Sequence, residues 1–159
     1  MGRLSSNYYV QDGVIPRSRL PEVLRDVSAA SVRHGLRIAN VFHAGDGNLH
    51  PLILFDDRID GDLDRAIKAG AEILEACVRY GGSITGEHGV GMEKRDCMSL
   101  QFSPADLELM ARVRAAFDRR GLCNPNKLFP TARRCGESAR RVDRGEIDPA
   151  LARAAGDPF

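Results

Sequence analysis

The sequence contains no tryptophan, few aromatic residues and no long apolar run. Aromatic residues make up 6% of the 159 positions, too few for the stacking platforms of a single-stranded nucleic-acid binder. No apolar stretch approaches the roughly 20 residues that a membrane-spanning helix requires. The formal net charge of +1 gives no electrostatic reason to expect nucleic acid or an anionic membrane as a partner. The composition is otherwise typical of a globular domain.

Cysteine is also sparse. The four cysteines are Cys77, Cys97, Cys123 and Cys135, and no two of them form a CxxC pair. This spacing excludes a zinc ribbon and a thioredoxin-like redox motif. No secretory signal segment is present near the first residue. We therefore expect reduced thiols in a cytoplasmic protein.

Hydrophobic periodicity predicts three helices. Pro21 marks the start of the first helix and Gly35 lies just past its end. Residues 60–82 place acidic residues in a first turn, apolar residues at a period near 3.6, and a Gly-Gly stop. Ser103 is the expected N-cap of the third helix, which should close at Gly121.

Residues 36–55, rich in β-branched and apolar side chains, predict a pair of strands. The order helix, strand pair, helix, loop, helix predicts an α+β fold, ferredoxin-like, with helices on one face of a small antiparallel sheet. We expect residues 1–13 to be a lead-in, residues 14–130 to form the domain, and residues 131–159 to be a loosely held tail.

Two histidines flank a turn in the stretch "HAGDGNLHP". Asp46-Gly47 is a favoured centre for a two-residue type I′ hairpin turn, and that placement sets His43 directly opposite His50. Opposed side chains share a face with Cβ atoms about 4.5–5.5 Å apart, which suits two imidazoles that converge on one metal ion. The alternative is an exposed hairpin with two solvated histidines.

A second candidate segment, "GGSITGEHGVG", is dense in glycine and contains Glu87 and His88. Neighbouring side chains of an extended segment point in opposite directions. Glu87 could complete a set of two histidines and one carboxylate, while His88 stays free as an acid or base. Glu87 as an ordinary loop carboxylate is an equally good interpretation of the residues alone.

The motifs "HAGDGNLHP", "GGSITGEHGVG" and "NPNKLFP" occur in the order found in a known family. Over about residues 7–130 the chain resembles the C-terminal domain of FAD-linked oxidases of the vanillyl-alcohol oxidase superfamily. The resemblance is to the group of glycolate oxidase flavin subunits, D-lactate dehydrogenases and D-2-hydroxyglutarate dehydrogenases. The segment "VIPRSRLPEVL" also resembles the one that precedes the histidine hairpin in that family.

The resemblance implies a site and a reaction. His43, His50 and Glu87 match positions that bind a divalent metal, here zinc, manganese or iron, and His88 matches the general base. The metal would hold a 2-hydroxy acid, and the hydride on C2 of this substrate would pass to the flavin of FAD.

The same resemblance implies further contacts and one departure. Asn124 and Lys127 match a segment near the flavin, and Arg17 is a suitable cation for the substrate carboxylate. Some relatives carry a lysine where this chain has Val10 or Gln11, which favours glycolate or D-lactate over the dicarboxylate 2-hydroxyglutarate.

The family's FAD-binding domain precedes this region, and the chain has no segment that corresponds to it. We therefore expect a fragment or split product that is inactive without an FAD-binding domain or subunit. The expected partners also include an electron-accepting iron–sulfur subunit, through which the protein would associate peripherally with the inner face of a membrane. Alternatives are a stand-alone metal-binding module without catalysis and a metal-dependent hydrolase.

Overall fold

The structure, a computed structural model, describes residues 5–130 of the chain. The strands are β1 (Asn7–Val10), β2 (Gly13–Val14), β3 (Ile38–His43) and β4 (Asn48–Phe55). The helices are α1 (Leu20–His34), α2 (Asp62–Arg79), α3 (Met98–Gln101) and α4 (Pro104–Phe117), with short 3-10 turns at Arg17–Arg19 and Arg95–Cys97. The expected tail at residues 131–159 lies outside the described residues.

The chain divides into two compact units, Met1–Gly89 and Val90–Phe159. The first unit contains the sheet with α1 and α2, and the second contains α3 and α4. The described part of the chain contains no helix with the length and hydropathy of a membrane span. Of the cysteines, Cys77, Cys97 and Cys123 fall within these residues, and none of them forms a disulfide with another.

The predicted α+β class is confirmed, with a small antiparallel sheet built on β4. β1 and β2 lie along one edge of β4, where Val10 pairs with Leu52 and Gly13 pairs with Leu49. The register runs through both pairings without a slip, so β1 and β2 are one edge strand interrupted by two residues. The segment that was expected as a lead-in therefore supplies an edge of the sheet. β3 pairs along the other edge of β4.

One face of the sheet packs against α1 and α2. Leu49 and Ile53 of β4 are 3% and 0% exposed and belong to the same core cluster as Val27 of α1 and Ile73 of α2. Burying an aliphatic side chain of this kind stabilises the fold by about 1.5–3 kcal/mol. Side chains alternate along a strand, so the even-numbered positions of β4 point to the opposite face.

The start of α4 agrees with the predicted N-cap, whereas its end differs from the predicted one. The Ser103 side chain accepts a hydrogen bond from the Asp106 backbone N–H in a complete capping box. The helix ends at Phe117, so the predicted end at Gly121 is wrong. The carboxylate of Asp118 accepts two backbone N–H groups of the following turn at 2.9 and 2.8 Å, which stabilises a turn in place of another helical one.

The histidine hairpin has a different register from the predicted one. His43 pairs with Asn48, and Val41 is the residue opposite His50. The prediction that His43 opposes His50 is therefore wrong by two positions. A displacement of two positions keeps every side chain on the same face of the sheet, so the two imidazoles still share a face as diagonal neighbours.

The register differs because the turn has four residues, 44–47, in place of two. The carbonyl of His43 accepts the backbone N–H groups of both Asp46 and Gly47 at 3.0 Å. A type I′ turn needs positive φ at both central residues, and Asp46 is not among the residues with positive φ. Gly47 has φ 74°, and its carbonyl accepts the N–H of Ile15 at 2.9 Å.

We expect Gly47→Ala to lower the free energy of unfolding by about 2–3 kcal/mol. The left-handed backbone conformation at this position and a clash with a backbone oxygen both disfavour an alanine side chain. A Cβ at Gly47 would lie 2.1 Å from the Ile15 carbonyl oxygen. Gly45→Ala is the matched control, since nothing lies within 4 Å of a Cβ there, and its effect should stay within about 0.5 kcal/mol. Urea denaturation of both variants measures the difference, and equal losses would contradict the turn geometry.

Candidate functional site

Four polar side chains lie on the sheet face that points away from α1 and α2. Leu49 points into the core, so its neighbours Asn48 and His50 point to the opposite face. His43 pairs directly with Asn48 and shares that face. Asp12 lies in the interruption between β1 and β2, where the continuous register aligns it with His50 across the strand pair.

Asp12 holds a loop over this face. Its side chain is 0% exposed, and a buried carboxylate is costly unless it is hydrogen-bonded. The Thr85 hydroxyl donates to its Oδ2 at 2.8 Å. The backbone N–H groups of Gly86, Glu87 and His88 donate to the same oxygen at 2.9, 3.1 and 2.9 Å. The sheet therefore anchors the segment that carries the second candidate motif.

The loop lies very close to the sheet. A Cβ at Gly86 would be 2.7 Å from Val14 Cγ2 and 2.8 Å from Asn48 Oδ1. Only a residue without a side chain permits this approach. The glycine density noted in the sequence therefore has a local reason at Gly86, which is to bring the neighbouring Glu87 and His88 down to the histidine hairpin.

The Glu87 carboxylate lies among three imidazoles. Its Oε1 is 3.0 Å from His50 Nε2, 3.8 Å from His43 Nε2 and 3.8 Å from His88 Nε2. The rings of His43 and His50 meet edge to face with centroids 5.3 Å apart, and those of His50 and His88 stack at 5.0 Å. The structure thus brings together the four candidate residues of the two motifs, which are His43, His50, Glu87 and His88.

Burial differs sharply within this cluster. The His50 side chain is 10% exposed, whereas His43, Glu87 and His88 are 57%, 54% and 49% exposed. One imidazole is therefore fixed in the sheet, and the other three groups face solvent. A cluster with this arrangement is accessible to an ion or a small molecule from solution.

The donor set fits a divalent metal ion. Nitrogen and oxygen ligands at about 2.0–2.2 Å from an ion lie roughly 3–3.5 Å from one another, close to the 3.0 and 3.8 Å separations around Glu87 Oε1. A second grouping, Asp12, His50, Glu87 and His88, offers donor atoms that all lie within 4.8 Å of one another. His50 and Glu87 belong to both groupings. Because Oδ2 of Asp12 already accepts four hydrogen bonds from the loop, we favour Asp12 as a support and not as a ligand.

The remaining predicted site residues are Arg17, Asn124 and Lys127. Arg17 is exposed, and its Cγ would be 3.7 Å from a Cβ at Gly47, which places the base of its side chain beside the histidine hairpin turn. Asn124 and Lys127 belong to the second unit. The guanidinium of Arg114 donates to the carbonyls of both residues at 3.0 and 3.1 Å.

Sequence reasoning missed Asp12 and Asn48. A charged residue within the strand-like stretch "YYVQDGVIP" was the available signal, because strands rarely place a carboxylate among apolar residues without a role.

The two residues that precede Asp12 point to different faces of the sheet. Val10 shares its sheet face, whereas Gln11 points to the helical face, where its Nε2 would lie 2.4 Å from a Cβ at Gly70.

Residues 1–128 match the family described as FAD linked oxidases, C-terminal domain. The chain is 51% identical over 148 residues to the glycolate oxidase subunit GlcD of Escherichia coli (strain K12), which covers 92% of this chain and 30% of that protein.

Two further relatives have other names. D-2-hydroxyglutarate dehydrogenase of Stutzerimonas stutzeri (strain A1501) is 38% identical over 125 residues, covering 76% of this chain and 27% of that protein. A probable mitochondrial D-lactate dehydrogenase of Danio rerio is 31% identical over 121 residues, covering 76% of this chain and 24% of that protein. The chain spans less than a third of the length of each of these relatives.

Proposed function

The chain belongs to the family of C-terminal domains of FAD-linked oxidases, and from this membership we propose that it forms the substrate- and metal-binding part of an FAD-dependent 2-hydroxy acid oxidoreductase. The observation that supports the proposal most directly is the position of Glu87 Oε1, 3.0–3.8 Å from three imidazole nitrogens. An arrangement of imidazoles around one carboxylate is typical of a site for a divalent cation.

His43, His50 and Glu87 would hold the cation. Two imidazoles and one carboxylate suit zinc, manganese or iron. When bound, the ion would act as a Lewis acid on the carboxylate and hydroxyl of the substrate. The exposure of His43 and Glu87, at 57% and 54%, leaves room for substrate oxygens on the solvent side of these ligands.

His88 would serve as the general base. Its Nε2 lies 3.8 Å from Glu87 Oε1, and its side chain is 49% exposed, which supports a role beside the proposed cation and toward a substrate hydroxyl. Loss of the hydroxyl proton to His88 prepares the substrate carbon for hydride loss. FAD, when bound, would accept that hydride.

The substrate would be a small monocarboxylate such as glycolate or D-lactate. Arg17, beside the hairpin turn, would contact its carboxylate. Val10 occupies the site face of the edge strand, and an apolar side chain there offers no cation to the second carboxylate of a dicarboxylate. Asn124 and Lys127, which belong to the second unit, would contact the flavin.

The proposed partners come from the family resemblance of the sequence. An FAD-binding domain or subunit would supply the flavin, and an electron-accepting iron–sulfur subunit would reoxidise it and bring the assembly to the inner face of a membrane. All proposed metal ligands lie in the first unit, which also supports a second candidate function: a metal-binding module that is inactive without the flavin-binding part.

We expect His43→Ala to weaken Zn²⁺ or Mn²⁺ binding at least about tenfold, because it removes one ligand from the solvent side of the site. His34→Ala is the matched control. His34 lies at the end of α1 and pairs with Glu72 at 2.9 Å, outside the cluster. Isothermal titration of the 159-residue chain and both variants measures the affinity and stoichiometry. Equal affinities for the His43 and His34 variants would remove His43 from the ligand set.

The activity is tested by supplying an FAD-binding part of the family as a second polypeptide. Dye reduction with glycolate or D-lactate should require this chain and a divalent metal together. Metal binding without any gain in dye reduction over the flavin part alone would support the inactive metal-binding module.

A further inference from the structure

Asp12 lies beside His50, which is the most buried imidazole of the site. The register of β1 and β2 on β4 aligns Asp12 with His50, and Asp12 Oδ1 is 3.8 Å from His50 Nδ1. We propose that Asp12 is a positioning residue that holds His50 with Nδ1–H toward its own carboxylate and Nε2 toward the metal, an inference that depends on the metal site proposed above.

The two oxygens of Asp12 have different surroundings. Oδ2 accepts the Thr85 hydroxyl and the backbone N–H groups of the next three residues at 2.8–3.1 Å. Oδ1 is the oxygen that faces His50, and it also accepts the Glu87 backbone N–H at 3.3 Å. The carboxylate therefore contacts two parts of the site at once, the loop that carries Glu87 and the strand that carries His50.

His50 supplies the second, independent observation. Its Nδ1 is buried and makes no hydrogen bond within the described residues, and a buried polar atom without a partner is unfavourable. Closing the 3.8 Å separation to the ~2.8 Å of a charge-assisted N–H···O bond would give Nδ1 a hydrogen-bond partner. The other ring nitrogen then presents its lone pair, and it is Nε2 that lies 3.0 Å from Glu87 Oε1.

A carboxylate behind a metal-bound imidazole fixes the tautomer and the orientation of the ring, and its loss commonly lowers metal affinity 10- to 100-fold. Asn at this position could not do the same. Its single carbonyl oxygen would be engaged by the loop N–H groups, and its amide would present N–H donors to His50 Nδ1. The ring would then be driven to the tautomer with Nε2–H, which cannot bind a metal through Nε2.

The test compares Asp12→Asn with Thr85→Val in the full chain. Thr85→Val removes one donor to Asp12 from the same loop but leaves the carboxylate beside His50, so it reports on the loop alone. We expect Zn²⁺ affinity to fall about 10- to 100-fold in Asp12→Asn and to stay within about threefold in Thr85→Val. Equal losses in the two variants, or no loss in Asp12→Asn, would overturn the positioning role.

A spectroscopic readout on the wild-type chain tests the proposal without any variant, in case Asp12→Asn does not fold. In the Zn²⁺-loaded chain, ¹⁵N-resolved NMR should show a slowly exchanging proton on His50 Nδ1 and metal on Nε2. A proton on Nε2, with metal on Nδ1, would overturn the proposal and indicate Asp12 as a direct ligand. A wild-type chain that binds no Zn²⁺ would instead overturn the metal site itself, and the positioning role with it.

Discussion

Glu87→Gln should lower the metal affinity of this chain more than about 100-fold, a larger loss than removal of a supporting residue causes. Oε1 of Glu87 is within 3.8 Å of Nε2 of His43, His50 and His88, so it is the point that the imidazoles share. The substitution replaces the only carboxylate proposed as a ligand with a neutral amide, which removes the negative charge and most of the affinity for a divalent cation.

The fold itself should be nearly unaffected by this substitution. The Glu87 side chain is 54% exposed, and surface substitutions usually change the free energy of unfolding by less than about 0.5 kcal/mol. Glu75→Gln is the matched control, an exposed carboxylate on α2 in the same unit. Isothermal titration and urea denaturation of the metal-free chain give both quantities. Retention of wild-type metal affinity in Glu87→Gln would contradict the proposed site.

His88→Asn should lower turnover by a factor of about 10²–10⁴, the usual contribution of a positioned general base, while metal affinity stays within about threefold of wild type. The two quantities separate because His88 is proposed to act on the substrate and not on the metal. Dye reduction with glycolate or D-lactate, in the presence of a flavin-binding part of the family, measures turnover. Titration of this chain alone measures the affinity.

The control for His88→Asn is His34→Asn, which changes a histidine of the same unit outside the cluster. Unchanged turnover in His88→Asn would show that His88 is not the base. A parallel loss of turnover and metal affinity would place His88 among the ligands, as in the grouping that contains Asp12 and lacks His43.

Much of the fold was predictable because it depends on local pattern. The 3.6-residue period of residues 60–82 and the N-cap signal at Ser103 both specify helices from neighbouring residues alone, and the structure contains both. The end of α4 was not predictable in the same way. Its last turn is replaced by hydrogen bonds from two backbone amides to Asp118, an alternative that the apolar period does not report.

In the candidate site, too, features set by local pattern were predictable and features set by distant contacts were not. The sheet face shared by His43 and His50 was predicted correctly, although the register was displaced by two positions, because the side of a strand depends only on odd or even spacing. The neighbourhood of Asp12 marks it as an unusual carboxylate in a strand but does not predict its partners. Its role arises from pairing with β4 and from a loop that follows 73–76 residues later, and such distant contacts leave no local pattern.

That distance along the chain has a kinetic consequence. During synthesis the edge strand and the histidine hairpin leave the ribosome before residues 85–88 do, and contacts of large sequence separation form late in folding. A nascent or partly folded chain can therefore form the hairpin before the loop delivers the carboxylate of the proposed cation site. Binding of the proposed cation would consequently be coupled to the closing steps of folding.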